Sequence, residues 1–181
     1  PVVSTFRSTL WDWEEARDFC TMCLPYIDVL FGIEPYHLWK DEQDHQTGDV
    51  KDGVPFQPDF KQQDEVFHGF VKRYPNIKCI ARHVRYAHSC SENSLMAYLW
   101  YDGKTYESQK LRFHILDRVG GGDAFVSGII YALMNEYKPQ DIADFGVAAS
   151  AVKHTIHGDG NITDDVSLIE HIMQMNFDIK R

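Results

Sequence analysis

The stretch DRVGGGDAFVSGIIYAL, residues 117–133, decides how this chain reads. Three glycines, Gly120, Gly121 and Gly122, stand directly before a lone carboxylate, Asp123, and an uncharged apolar segment. A turn needs one glycine or two. Three in succession ahead of a helix predict that something approaches the backbone closely. The first N–H groups of a helix have no internal partners, and the helix dipole adds partial positive charge there. A glycine-rich lead-in offers those amides to an anion without an intervening Cβ. In that setting Asp123 suits a general base that takes the proton of a hydroxyl attacking a phosphoryl group, while the amides stabilise the transferred oxygens. The spacing alone equally allows Asp123 to cap the helix and the glycines to form a loose loop. The motif is neither a P-loop, since no Lys-Ser/Thr follows, nor G-x-G-x-x-G.

Working outward, Phe125, Val126, Ile129, Ile130, Leu133 and Met134 place apolar residues on every face of the helix, which predicts an interior position. Pro139 starts the next predicted helix, QDIADFGVAASAVKHTI, whose small residues allow close packing. DVSLIEHIMQM reads as a final amphipathic helix. Upstream, Asp102-Gly103 sits between two strand-like arms in LMAYLWYDGKTYES, a strong hairpin signal. Cross-strand packing accounts for Trp100 and Tyr101 there. IKCIARHV reads as a strand, and QQDEVFHGFVKRY as a helix stopped by Pro75. Residues 34–60 read as an irregular excursion with a short helix near His37 to Lys40. IDVLFGI reads as a buried strand, and WDWEEARDFCTMCLPY as a helix with Asp12 as N-cap. Val2 to Phe6 reads as a strand that begins abruptly, as a processed fragment would. Alternating strands and helices predict one α/β domain, residues 1–181, with a mostly parallel sheet.

Composition narrows the function. Asp and Glu number 27 against 18 Lys and Arg, and no basic cluster stands out, so nucleic acid is not an expected partner. The longest uncharged run, Ala124 to Asn135, is too short to span a bilayer. No basic segment followed by an apolar core opens the chain, and Cys20, Cys23, Cys79 and Cys90 make no disulfide framework, so a reduced, cytoplasmic protein is expected. Cys20-x-x-Cys23 falls inside a predicted helix without a second pair, which favours core packing over zinc. His154 and His157, three residues apart with Asp159 nearby, leave a metal site open against a plain loop.

DRVGGGDAF resembles the D-T-x-G-A-G-D-x-F signature of the ribokinase-like (PfkB) sugar kinases, and most closely the 2-keto-3-deoxygluconate (KDG) kinase branch. FRSTLW resembles the N-Y-R-x-x-L-W segment of those kinases, LPYIDVLFG their following strand, and FGVAASAVKHTIHGDGN their late nucleotide-side helix and loop. The resemblance runs in order from the first residues to about Asn161. It implies a three-layer α/β/α sandwich, Asp123 as catalytic base, and Gly120, Gly121 and Gly122 as the anion hole for the γ-phosphate. It places Arg7 at the sugar-acid end, where a guanidinium fork suits a carboxylate; a surface or capping role is the alternative. Arg118, in place of the family threonine, is a candidate for substrate contact. Val84, Arg85, Val119 and Asn161 are candidates for the nucleotide side. The implied partners are ATP, with Mg2+, and a sugar acid such as KDG.

Departures from the family pattern are specific. Val3-Ser4-Thr5-Phe6-Arg7 stands where the family has D-x-N-x-R. Ile33 and Tyr36 occupy the ends of its N-x-x-E motif, leaving Glu34 as the nearby carboxylate and the Mg2+ ligands unassigned. The family's N-terminal portion and β-lid over the sugar have no counterpart here. The expected function is therefore ATP-dependent phosphorylation of a sugar acid, completed by a second copy or by a chain supplying that portion. The alternative is a non-catalytic nucleotide-binding fragment or interaction module.

Overall fold

The computed structural model describes residues 2–3, 12–32, 59–161 and 166–174. They divide into two compact units, Pro1–Arg82 with Trp100–Thr105, and His83–Leu99 with Tyr106–Arg181.

In the first unit, strand β1 (Val2–Val3) pairs in parallel with β2 (Val29–Phe31), and β2 pairs in parallel with the start of β3 (Cys79–Ala87). Parallel neighbours need crossovers, and helices α1 (Trp13–Cys23) and α2 (Phe60–Arg73) supply them. Both start on a capping box. The Asp12 carboxylate accepts the Glu15 N–H at 2.9 Å while Glu15 accepts from the Asp12 backbone; Asp59 and Gln62 repeat the pattern. Gln63, Phe67 and Phe70 form the buried face of α2, where the Arg82 guanidinium donates to Gln63 Oε1 at 2.8 Å. Asp102 (φ 49°) and Gly103 (φ 78°) make the expected two-residue hairpin turn between β4 (Glu92–Tyr101) and β5 (Lys104–Glu107). Cys20 and Cys23 are partly exposed on α1, short of full burial in the core.

In the second unit, residues 93–99 of β4 are all buried, and β6 (Leu111–His114) runs antiparallel to it. Strand pairing is thus parallel from β1 to β3 in the first unit and antiparallel between β4 and β6 in the second. Arg112 forks onto the Glu92 carboxylate with two 2.9 Å hydrogen bonds across that pair.

Helices α3 (Gly121–Met134) and α4 (Pro139–Lys153) pack face to face. Their surfaces meet so closely that a Cβ on Gly128 would lie 2.8 Å from the Ala149 methyl, and one on Gly146 2.6 Å from Ile129 Cδ1. Contact through this one face is why α3 is not interior all round, contrary to its sequence pattern. Met134 is 79% exposed, and Tyr131 stacks at the surface on Phe145. Helix α4 is buried over nearly its whole second half and ends at Lys153, short of the expected Ile156. Helix α5 (Val166–Met173) is held by the Tyr137 hydroxyl, which donates to Glu170 at 2.5 Å, and by the Gln109 side-chain amide, which donates to the Met173 carbonyl. No helix among the described residues is long and apolar enough to cross a membrane.

Candidate active site

The site lies in the second unit, where the loop after β6 turns into α3. Gly120 is the N-cap, with φ 77° in the left-handed region that a Cβ disfavours. No side chain caps this helix. Asp123 stands within the first turn with an exposed side chain, so the capping role allowed by its spacing falls away. The first helical hydrogen bond runs from the Ala124 N–H to the Gly120 carbonyl at 2.9 Å. The N–H groups of Gly122 and Asp123 precede it and have no carbonyl within the helix to meet.

The three glycines have three different surroundings. A Cβ on Gly120 would come within 2.8 Å of the Asp159 carbonyl and 3.0 Å of Lys153 Cε. A Cβ on Gly121 would collide with the His154 imidazole. Around Gly122 nothing lies within 4 Å. Two glycines therefore answer to the protein's own packing, and Gly122 alone of the three opens onto free space.

Two loops are sewn together beneath this helix start. Asp117 accepts the Val119 N–H at Oδ1 (3.0 Å) and the Gly158 N–H at Oδ2 (2.8 Å), which bridges the loop before α3 to the loop after α4. Those two amides, in that order, hold the Asp117 carboxyl below the usual carboxylate range, and Lys153 adds to the effect. The Leu116 and Asp117 N–H groups both donate to the His154 carbonyl. Lys153, fully buried, donates from Nζ to the Gly158 carbonyl at 2.7 Å and the Ile156 carbonyl at 3.2 Å. Ser150 Oγ donates to the Gly121 carbonyl at 2.8 Å, fixing α3 to α4 at this end.

His154 reports on the local field. Its ring is buried against Gly121 and Phe113, with Nδ1 2.7 Å from the Ser150 carbonyl. Burial lowers its pKa first; the positive charges of Arg85, Lys153 and Arg118 push the same way, against the Ser150 hydrogen bond. Arg118 and Lys153 lie beside the helix start together with the carboxylates of Asp117, Asp123 and Asp159, in a chain whose net charge is −9. The exposed amide pair and the helix dipole are the features there that suit an anion.

The other sequence candidates distribute as follows. Arg118 donates to the Cys90 carbonyl at 3.0 Å and is exposed beside the glycines. Val119 is 53% exposed. Arg85 projects from β3 on the exposed side, whereas the Val84 side chain is buried, which leaves its backbone as the part open to a ligand. Asn161 is exposed at the end of the loop after α4. Arg7, Ile33, Glu34 and Tyr36 lie outside the described residues. His154 and His157 do not converge on a metal. No group of three or more His, Cys, Asp or Glu side chains among the described residues could hold one. The sequence reading gave no role to Asp117 or Lys153. Asp117 opens the quoted stretch, and Lys153 is the one charged residue in VAASAVK, which were the available signals.

Residues 97–165 match the pfkB family carbohydrate kinase model. The chain's ribokinase-like fold is shared with the 2-dehydro-3-deoxygluconokinase of Thermotoga maritima (TM-score 0.78, 26% identity, 95% of this chain and 49% of that one). A PfkB family carbohydrate kinase of Listeria grayi is similar too (TM-score 0.75, 25% identity, 93% and 48%). Among curated proteins, the 2-dehydro-3-deoxygalactonokinase of Haloferax volcanii is 27% identical over 155 residues, covering 85% of this chain and 41% of that protein. The chain spans about half the length of the relatives it matches.

Proposed function

We propose that the protein takes part in ATP-dependent phosphorylation of a 2-keto-3-deoxy sugar acid. The observation that carries the reading is the start of α3, where the uncapped amide of Gly122 opens onto free space, with Asp123 one residue further on and Arg118 beside the glycines. The names of the similar kinases, one for the gluconate and one for the galactonate configuration, support the substrate class.

In this reading the γ-phosphoryl oxygens meet the Gly122 and Asp123 amides, and Asp123 takes the proton of the acceptor hydroxyl. That oxygen bonds to the γ-phosphorus as the bond to the bridging oxygen breaks and ADP leaves. Amides fixed before the reaction stabilise the charge on the transferred group without reorganising. Arg7 is assigned to the sugar carboxylate, and Arg118 to phosphate or substrate. Val119, Asn161, Arg85 and the Val84 backbone are assigned to the nucleotide side. Mg2+ would arrive on ATP with its own waters, since the described residues offer it no cage.

The half-length coverage supports a second reading, in which this chain binds nucleotide and turns over only with a chain that completes the sugar site. ADP release from Mg-ATP and KDG, measured beside Mg-ATP binding, separates the two. Under the first reading KDG-dependent release falls about 10²- to 10⁴-fold in Asp123→Asn. Binding without release supports the second. Failure to bind Mg-ATP under any condition overturns both.

A further inference from the structure

Lys153 is a charged side chain with no exposure to solvent, on the last turn of α4. A buried ammonium is tolerated where its charge has work and its hydrogens have partners. Its partners are two backbone carbonyls, Ile156 and Gly158, rather than a carboxylate. The same Gly158 gives its N–H to Asp117 and its carbonyl to Lys153, so one residue is clamped from both sides by opposite charges. The Lys153 stem also runs under Gly120, with Cε 3.0 Å from where a Cβ on that glycine would be. The ammonium therefore braces the loop after α4, which the Gly158-to-Asp117 hydrogen bond ties to the loop before α3, and the stem that carries it lies against Gly120 at the start of α3.

We propose that Lys153 is a positioning residue for the phosphate site. Its ammonium fixes the loop after α4, and through the Gly158-to-Asp117 hydrogen bond the loop before α3, and adds positive charge near the start of α3. The ligand concerned is the terminal phosphate of a nucleoside triphosphate, and that part rests on the reading of the α3 amides given above. A unit charge about 7 Å from a phosphate, at an effective dielectric between that of protein and water, is worth about an order of magnitude in affinity. A capping lysine that only ended α4 would influence all nucleotides alike or none.

The test uses the full 181-residue chain and its Lys153→Met variant, which keeps the length and shape of the stem. Mg-ATP and Mg-ADP are titrated calorimetrically, and amide hydrogen exchange is followed at Val119 and Gly158, with Ala148 and Ile129 as controls in the packed helices. The expected result is about tenfold weaker Mg-ATP binding with Mg-ADP changed less than about threefold. Val119 and Gly158 should exchange at least about tenfold faster while the controls hold. Should the Met variant not fold, Lys153→Ala is assayed with and without methylammonium, which is expected to restore slow exchange at Gly158. Equal losses for ATP and ADP, or unchanged exchange at Val119 and Gly158, overturn the proposal. If the unsubstituted chain binds no Mg-ATP, the kinase reading fails, and the exchange data still decide for or against the clamp.

Discussion

At the scale of single residues, the glycine run separates into parts with different duties. Replacing Gly121 by Ala drives a methyl into the His154 ring, and such overpacking costs about 1–3 kcal/mol. Replacing Gly122 by Ala meets no atom, and the better helix propensity of Ala is worth about 0.5–1 kcal/mol. Thermal unfolding should therefore show Gly121→Ala less stable and Gly122→Ala as stable as the parent or more so, while Mg-ATP titration should show Gly122→Ala weakened. His154 adds a pH dependence. Its folded pKa is lowered by burial, so above the unfolded value of about 6.5 both states are neutral and stability is full. As pH falls through that value the unfolded state gains a proton that the folded state resists, and stability drops. Melting temperature should fall between about pH 7 and about pH 5.5, with a shallower slope in His154→Gln. The sequence displayed the glycines but could not apportion them. Gly121 is defined by a ring 33 positions later and Gly120 by a loop later still. Asp117 opened the quoted stretch, yet its role was hidden for the same reason: its second partner, Gly158, is 41 residues away.

At the scale of elements, the α3–α4 contact sets the frame on which the site stands. Gly128 and Gly146 bring the helices together without room for a methyl on either side. Gly128→Val should lower stability by about 2 kcal/mol, read from chemical denaturation, and should also loosen the Ser150-to-Gly121 hydrogen bond that fixes the start of α3. Elements with strong local signals were legible beforehand. Asp12 and Pro139 mark helix starts through a cap and a fixed φ, and Asp102-Gly103 marks the hairpin through its positive φ angles, whereas the Asp59 cap lay inside the stretch read as irregular. Strand β6 was not legible, because LRFH is four residues long with no turn residue beside it, and only its pairing with β4 makes it a strand. The exposure of Met134 was equally hidden, since periodicity names apolar faces and not the neighbour that covers one of them.

At the scale of the whole molecule, coverage decides what activity to expect. The chain matches 49% of the Thermotoga kinase and 41% of the Haloferax one. Phosphoryl transfer depends on holding acceptor and donor in line, and loss of that alignment costs at least about 10²-fold in rate. Co-expression with the complementary half of such a kinase should raise KDG-dependent ADP release at least about 10²-fold over this chain alone, a comparison made in one coupled assay. Equal rates would show that the described half already holds both substrates. In the proposed reading, charge also governs how the nucleotide arrives. A polyanion diffusing toward a chain of net charge −9 is repelled on average, so productive encounters are those captured by the short-range field of the uncapped α3 amides and the exposed Arg118 beside them. Added salt screens the long-range repulsion before it weakens the local attraction. Moderate ionic strength therefore quickens capture, the reverse of the behaviour of a phosphate-binding protein with a basic surface.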